Sequence, residues 1–198
     1  ASTYLPNGDP SFVIGFELFN QPKSNWDEWK LATEKCITEI SEVNRNILFF
    51  VKGVSGALWH GSNLAALNNN SKLISTSSSN IVYCVNDFDR NSSDFLKSFK
   101  RNPVVGDTDF TNEQAYRDEW DRNWGFLWKR ITTGYPIMVS EFGTEYYDSN
   151  WFTYLIRYID NPNNISSQDS RKAISYSYFT WNPNYRTIKD IGITSNWI

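Results

Sequence analysis

The stretch from Phe12 to Pro22, FVIGFELFNQP, decides the fold of this chain. It is apolar over eight residues apart from the single charge of Glu17, and it breaks at Asn20-Gln21-Pro22. A continuous apolar run bounded by turn-forming residues is typical of a strand that is buried on both faces of a parallel sheet. Because a parallel barrel carries its chemistry at the carboxyl ends of its strands, we expect Asn20 and Gln21 to lie in the functional site.

The strand is followed by a clear helix signal. A helix is predicted over residues 26–44, since Asn25 and Glu28 form a capping box and apolar residues follow at spacings of three and four. The predicted apolar face consists of Trp29, Ala32, Cys36, Ile40 and Val43. Cys36 is interpreted as a small core thiol on this face.

Strand and helix signals alternate along the rest of the chain. The further strands are predicted over residues 46–51, 80–85, 136–139 and 173–180. The further helices are predicted over residues 113–131 and 151–159, and residues 52–67 read as a Gly-rich loop that runs into a short helix. This alternation indicates an α/β fold with a parallel sheet. No domain boundary is predicted within residues 1–198.

Composition narrows the classes of function. The net charge of −3 and the lack of a basic stripe argue against a nucleic-acid partner, and no apolar run of about eighteen residues suggests a membrane span. Two cysteines and one histidine, His60, give neither a disulfide framework nor metal-ligand spacing, and no metal or cofactor is expected. Nine Trp and eleven Tyr belong first of all to a core, but their number suits a protein that stacks on sugar rings.

Three Asn-X-Ser triplets predict glycosylation at Asn69, Asn91 and Asn164. They favour a secreted protein, extracellular or associated with a cell wall, although such triplets also occur by chance in a chain rich in Asn and Ser. The first residues, ASTYLPNGDPS, have neither the basic nor the apolar segment of a signal peptide, so any signal peptide is expected to be removed or to lie further upstream.

Five segments carry a resemblance to one enzyme family. They are FELFNQP, ILFFVKGVSG with the following WHGSNL, DRNWGFLWKR, VSEFG and FTWNPN. In this order they resemble the second half of glycoside hydrolase family 5, the cellulase family, of the endoglucanase type. The resemblance implies a (β/α)8 TIM barrel of glycosidase type, to which residues 1–198 supply roughly strands 4 to 8 as the C-terminal part of a single barrel domain.

Strands 1 to 3 and the last helix of such a barrel have no counterpart in this sequence. A five-strand arc exposes apolar side chains of the barrel interior and two sheet edges, which soluble proteins cover. We therefore expect a missing barrel half. It would be a separate or cleaved N-terminal chain, a second copy of this chain, or the rest of a longer polypeptide.

The resemblance also assigns the catalytic positions. Retaining glycosidases need two carboxyl groups about 5 to 5.5 Å apart, one as nucleophile and one as acid/base. The nucleophile position is Glu141, and the acid/base position is Gln21. An amide does not exchange a proton near neutral pH, and positioned acid–base catalysis is worth roughly 10² to 10⁴ in rate. Gln21 alone does not separate a natural pseudoenzyme from an engineered Glu→Gln mutant.

Two further places depart from the family pattern. The family's strand 6 ends in a His-Asp-Tyr type motif, and here those places are Asn86, Asp87 and Phe88, so no hydroxyl orients the nucleophile. The Trp that forms the floor of the family's −1 subsite falls at Phe179, with Trp181 two residues further on. These departures favour a natural loss of catalysis.

The resemblance also implies sugar-binding positions that would still hold a glucan after catalysis is lost. Asn20 matches the residue that bonds the sugar 2-hydroxyl. Trp59 and His60 lie in the loop after strand 5, where the family has aromatic subsite residues, but a structural role is the stronger interpretation for His60. Trp181 fits a sugar platform and the core equally well. The expected glucan-binding residues are Asn20, Asn86, Trp59, Phe179 and Trp181.

Three functions are compatible with the sequence. The first is an active retaining endo-β-1,4-glucanase, with either an engineered Gln21 or a substitute acid such as Glu145 or Asp87. The second is a pseudoenzyme that binds β-glucan or a related polysaccharide without cleaving it. The third is a structural extracellular protein that uses the barrel surface for assembly. The departures at the site favour the second and third over the first.

Overall fold

The computed structural model describes residues 13–20, 22–54, 64–76, 80–88, 112–130, 135–143, 150–161 and 173–178. The elements in chain order are β1 (Gly15–Glu17), α1 (Trp26–Val43), β2 (Leu48–Lys52), two 3-10 helices (Ala65–Asn68 and Asn70–Lys72), β3 (Ile81–Phe88), α2 (Glu113–Trp120), α3 (Phe126–Lys129), β4 (Ile137–Gly143), α4 (Asn150–Asp160) and β5 (Ser175–Tyr178). A π-helical turn, Asp121–Gly125, joins α2 to α3.

The five strands form one parallel sheet in the order β1-β2-β3-β4-β5. Each strand lies beside the next strand in the chain, and helices occupy the connections between them. This arrangement confirms the predicted α/β fold with a parallel sheet. The sheet is curled, as in an arc of a barrel, and all its carboxyl ends lie at one edge.

Three strands extend beyond their predicted ends. β2 includes Lys52, β3 includes Asn86, Asp87 and Phe88, and β4 continues to Gly143. The sequence boundaries are wrong here because they treat polar residues as strand ends, whereas the backbone pairing of parallel strands does not depend on side-chain polarity. β1 and β5 are shorter than predicted, although residues 12 and 179–180 lie outside the described part of the chain.

Helix α1 lies where the sequence predicts it, but a different face is buried. The Asn25 side chain accepts a hydrogen bond from the Glu28 backbone N–H at 3.0 Å, as expected of an N-cap. Cys36 is exposed, so its predicted core position is wrong. The Trp26 indole N–H donates to the Lys72 carbonyl at 2.8 Å, and this contact fixes the rotation of the helix at its start. The buried residues are Trp26, Thr33, Ile37 and Ser41.

The helix predicted over residues 113–131 is confirmed over residues 113–129, with the π-helical turn in its middle. Trp120, Trp124 and Leu127 of this segment are fully buried. A π-helical turn widens the helix by one residue and shifts the side chains that follow. Here it places Gly125 directly against Tyr158 of α4.

The two faces of the sheet differ in packing. On one face, which we call the helix face, strand residues join the core with the helices; examples are Phe49, Val51, Tyr83, Val85 and Val139. On the other face, which we call the open face, four apolar residues are only half-buried and lie outside that core. These residues are Leu48, Phe50, Val82 and Met138.

A register shift between β3 and β4 decides which way the end of β4 faces. Val85 pairs with Val139, but the next pair is Asn86 with Glu141, so Ser140 is an extra residue on β4. The Ser140 hydroxyl donates to the Val85 carbonyl at 3.2 Å. After the shift, Glu141 lies on the open face and the residue that follows it packs into the core.

Candidate active site

The carboxyl ends of three strands bring four polar side chains together. Glu17 and Asn20 come from the end of β1, Lys52 is the last residue of β2, and Glu141 lies in the second half of β4. We call these four residues the polar cluster. Asn20 and Glu141 both lie at this edge of the sheet, and each accepts a hydrogen bond from Lys52.

Lys52 is the centre of the polar cluster, and its side chain is completely buried. Its Nζ donates one hydrogen bond to Asn20 Oδ1 at 2.8 Å and another to Glu141 Oε1 at 2.8 Å. Glu17 Oε1 lies 3.4 Å from the same nitrogen. A buried ammonium needs carboxylates and hydrogen-bond acceptors around it, and three acceptor atoms surround this one. Lys52 therefore links the ends of β1, β2 and β4.

The backbone around Lys52 is held from the helix side. The indole N–H of Trp29 in α1 donates to the Lys52 carbonyl at 2.8 Å. The Trp29 ring also meets the ring of Phe19 edge to face, with centroids 6.3 Å apart. Phe19 precedes Asn20, so this aromatic pair supports both Lys52 and the chain that carries Asn20.

The polar cluster opens to solvent through its carboxylates and its amide. The side chain of Glu141 is 19% exposed and that of Glu17 is 36% exposed, and Asn20 is exposed as well. The Lys52 side chain is 0% exposed. A ligand that enters from solvent therefore meets the Asn20 amide and the two carboxylates, and the ammonium lies behind them.

Asn86 lies beside Glu141 but is fully buried. Its Oδ1 accepts a hydrogen bond from the Ser140 hydroxyl at 3.4 Å. Its Nδ2 has no hydrogen-bond partner among the described residues. An unpaired buried amide donor is costly, so this group is available for a partner at the base of the site.

Asp87 and Phe88 do not supply the missing acid. Asp87 is fully buried, and its Oδ1 accepts a hydrogen bond from the Trp151 indole of α4 at 3.0 Å. The Asp87 side chain therefore lies on the helix face, and its predicted alternative role as a substitute acid is wrong. Phe88 is buried and has no hydroxyl to offer Glu141.

Cys84 lies beneath the polar cluster, in register with Lys52. Burial raises the pKa of the Cys84 thiol to about 12, and the negative charge of Glu17 acts in the same direction. The thiol therefore stays protonated at physiological pH and is not a nucleophile of this site.

Several predicted residues lie outside the described part of the chain. They are Gln21, Trp59, His60, Asn91, Glu145, Asn164, Phe179 and Trp181. Asn69 is described and exposed. Its Oδ1 accepts hydrogen bonds from the Ser71 backbone N–H at 3.0 Å and from the Ser71 hydroxyl at 2.9 Å. The asparagine and the serine of this glycosylation triplet are thus in contact.

Lys52 and Glu17 are the two members of the polar cluster that the sequence does not assign to the site, and Lys52 is missed because it is predicted to lie at the start of a loop. One signal could have found it. Leu48, Phe50 and Lys52 alternate onto one face of β2, so the lone charge at the end of an apolar strand points to the same side as the chemistry.

The described residues contain neither a metal-type cluster nor a membrane-type helix. Within these segments, no group of three or more His, Cys, Asp or Glu side chains is placed to hold a metal ion. None of the helices in the same segments is both long and apolar enough to cross a membrane.

The sequence profile described as Cellulase (glycosyl hydrolase family 5) matches residues 1–185. The chain belongs to glycosyl hydrolase family 5. The order of sequence landmarks in family 5 and the parallel arc with Glu141 at its carboxyl edge agree with this assignment.

Relatives within family 5 extend well beyond this chain. The endoglucanase of Paenibacillus polymyxa is 26% identical over 202 residues, which is 86% of this chain and 47% of the relative. The catalytic domain of the major endoglucanase from Xanthomonas campestris pv. campestris has a TM-score of 0.67 at 19% identity, over 97% of this chain and 54% of that one. A β-glucanase from Saccharophagus degradans has a TM-score of 0.64 at 18% identity, over 96% of this chain and 50% of that one.

These comparisons fix the fold. Family 5 neighbours are (β/α)8 barrels, and the five parallel strands form part of such a barrel. The chain spans about half the length of the relatives it matches.

Proposed function

We propose that this chain is part of a catalytically impaired cellulase-like protein that binds a β-1,4-glucan or a related polysaccharide. The observation that carries the proposal is the meeting of Asn20 and Glu141 at the carboxyl edge of the sheet, with an amide residue, Gln21, directly after Asn20. The geometry for holding a sugar is retained, and the residue needed to move a proton is replaced.

The impairment follows from the chemistry at Gln21. Natural alkyl glycosides need an acid to protonate the leaving oxygen, and an amide has no proton to give near neutral pH. Of the two candidate substitute acids, Asp87 is hydrogen-bonded to Trp151 on the helix face, and Glu145 lies outside the described residues. Turnover of natural glucans by this chain is therefore expected to be slower than that of an intact site by roughly 10² to 10⁴.

Binding is supported by the atoms that remain for a sugar. Because Lys52 donates to Asn20 Oδ1, the Nδ2 group of the Asn20 amide is left as a donor for a hydroxyl. Glu141 contributes a carboxylate, and its side chain is 19% exposed. Polar groups of this kind at the end of strands fix the orientation of a ligand, while aromatic residues supply contact area. We assign that aromatic role to Trp59, Phe179 and Trp181.

We also propose that an N-terminal barrel half covers the open face. Its half-buried residues Leu48, Phe50, Val82 and Met138 and the half-length match to relatives support a single barrel domain, completed by an N-terminal half. Residues 1–198 are then the C-terminal part of that domain. Size-exclusion chromatography with light scattering tests the alternative of self-association, which predicts a dimer of this chain with the open face buried.

The function is tested by calorimetric titration with cellotetraose, together with an assay for released reducing ends. We expect binding without release. Asn20→Ala should weaken binding by about tenfold, the cost of one good hydrogen bond to a sugar. Asn68→Ala serves as the matched control, because within the described segments this exposed asparagine contacts Arg130 through its backbone carbonyl and not through its side chain.

Two outcomes contradict the proposal in different ways. Steady release of reducing ends that Glu141→Gln abolishes shows an active glucanase. No binding of cellotetraose, combined with self-association, shows a structural role instead.

An extracellular or cell-wall location is part of the same proposal. The exposed position of Asn69 and its contact with Ser71 support glycan attachment there. Peptide mass spectrometry with and without amidase treatment, which converts a glycosylated asparagine to aspartate, reads occupancy at Asn69, Asn91 and Asn164. Unmodified peptides from protein of the native source contradict the glycosylation.

A further inference from the structure

We propose that Lys52 is a positioning residue that holds Glu141 in its charged ground state and so suppresses nucleophilic attack independently of Gln21. This inference rests on the proposed assignment of Glu141 to the nucleophile position. Besides the missing acid at Gln21, the site would then have a second cause of slow reaction, which acts on the Glu141 carboxylate.

The geometry leaves Lys52 little freedom to move away. Its side chain is completely buried, and its ammonium is 2.8 Å from both Glu141 Oε1 and Asn20 Oδ1. Glu17 Oε1, at 3.4 Å, adds a third acceptor. The Trp29 indole fixes the Lys52 carbonyl. An ammonium that left Glu141 would have to break these contacts inside the protein, where an unpaired charge is unfavourable.

The reaction of the nucleophile removes the charge that Lys52 stabilises. A Glu141 oxygen attacks the anomeric carbon and forms a glycosyl ester, while the glycosidic C–O bond breaks and the leaving group departs with its electron pair. The carboxylate loses negative charge along this path, and the sugar gains positive charge. An ammonium at 2.8 Å from Oε1 therefore favours the reactant over the transition state. An interaction that is stronger in the ground state raises the barrier.

Lys52 is also unsuited to replace the acid. Its ammonium donates to Asn20 Oδ1 and to Glu141 Oε1, which belongs to the proposed nucleophile itself, and it lies 3.4 Å from Glu17 Oε1. The ammonium is therefore engaged by acceptors of the protein itself and is not poised to protonate a leaving oxygen. The single substitution Gln21→Glu is therefore expected to leave attack by Glu141 slow, because Lys52 still stabilises the charged carboxylate.

The test measures the nucleophile without the acid. The probe is 2,4-dinitrophenyl 2-deoxy-2-fluoro-β-cellobioside, whose dinitrophenolate leaves without protonation and whose fluorine slows loss of the glycosyl ester. Intact mass spectrometry follows adduct formation over time at several probe concentrations, and peptide mapping locates the adduct. The limiting rate reports attack by Glu141, and the half-saturating concentration reports sugar binding.

Four variants define the expected result. Lys52→Met, which keeps the length of the side chain but not the charge, should raise the limiting rate about tenfold or more. Its half-saturating concentration should stay close to that of the unsubstituted chain. Lys52→Arg, which retains a cation, should label as slowly as the unsubstituted chain. Lys72→Met is the matched control, since among the described residues the Lys72 side chain pairs with Asp27 alone, at the surface. Glu141→Gln should give no adduct.

Circular dichroism and thermal melting identify variants that do not fold, and Lys52→Gln replaces Lys52→Met in that case. A folded charge-removing variant that labels no faster than the unsubstituted chain, or gives no adduct, overturns the inference. So does a Lys52→Arg variant that labels as fast as Lys52→Met. Failure of the proposed glucan binding is separate, because calorimetry with cellotetraose reads it without any covalent step.

Discussion

A Cβ atom on Gly125 would overlap the hydroxyl of Tyr158, and it would lie 2.9 Å from Asp121 Oδ1. In an ordinary helix, Gly→Ala stabilises the folded state by about 1 kcal/mol. Here we expect Gly125→Ala to lower the free energy of unfolding by about 1 to 3 kcal/mol, because the added methyl group overpacks the contact between the π-helical turn and α4. Urea denaturation measures the difference.

A double-mutant cycle isolates the cause of that loss. Tyr158→Phe removes the hydroxyl that donates to Asp121, and the nearest ring atom then lies 3.1 Å from the new methyl group. In this background Gly125→Ala should cost clearly less. Equal costs in both backgrounds would show that the loss does not come from Tyr158.

The polar cluster predicts unequal costs for its two central charges. Glu141→Gln leaves a completely buried ammonium without its closest carboxylate, and we expect a loss of about 2 kcal/mol or more in the free energy of unfolding. Lys52→Met leaves a carboxylate that is 19% exposed and reaches water, so it should cost less. Glu17→Gln, at the longer distance of 3.4 Å, should cost least. Chemical denaturation at pH 7 gives the order, and a larger loss for Lys52→Met than for Glu141→Gln contradicts it.

Acid should weaken the contact between α2 and α4. Burial works in the opposite direction, but hydrogen bonds from Arg117 and Arg157 hold the pKa of Glu113 below its ordinary value. A lowered folded-state pKa stabilises the protein above the unfolded pKa of about 4.3, and this contribution is lost as pH falls through the lower, folded-state value.

The corresponding variant is Glu113→Gln. It should be less stable than the unsubstituted chain by about 1 kcal/mol at pH 7, and the difference should shrink below about pH 4. Thermal melts between pH 7 and pH 3 measure it, with Glu39→Gln on the exposed side of α1 as the control. A difference that grows on acidification contradicts the assignment.

The two cysteines should differ sharply in reactivity. Cys36 is exposed on α1, whereas burial raises the pKa of Cys84 to about 12. At pH 8, 5,5′-dithiobis(2-nitrobenzoate) should therefore modify one thiol per folded chain and two per unfolded chain. Cys36→Ser should abolish the rapid reaction. Two thiols that react at similar rates in the folded protein would contradict the buried position of Cys84.

The fold was accessible from the sequence because its signals are long and repeated. Apolar strands that alternate with amphipathic helices indicate a parallel sheet, and FELFNQP and VSEFG place two strand ends at one edge. The meeting of Asn20 with Glu141 follows from that topology. The catalytic assignment of Gln21 stays a prediction.

Two features were not accessible for physical reasons. The buried face of α1 depends on the contact of Trp26 with the Lys72 carbonyl, a long-range hydrogen bond that helical periodicity does not contain, and Cys36 consequently lies on the outside. The position of Lys52 depends on where β2 ends. Polarity alone places that end one residue too early, and the residue excluded in this way is the centre of the site.

The bulge at Ser140 keeps the Glu141 carboxylate on the open face of the sheet. If Ser140 were paired as an ordinary strand residue, the even-numbered positions of β4 would lie on the open face along the whole strand, and Glu141 would point into the hydrophobic layer beneath the helices. Because of the bulge, the odd-numbered positions of β4 lie on the open face from Glu141 onwards. A deletion of Ser140 would therefore remove the bulge and leave Val139 and Glu141 as consecutive paired residues, with Glu141 still on the open face and the Phe142 ring still in the core. A strand register that ignores the bulge would instead assign Glu141 to the core face and Phe142 to the open face.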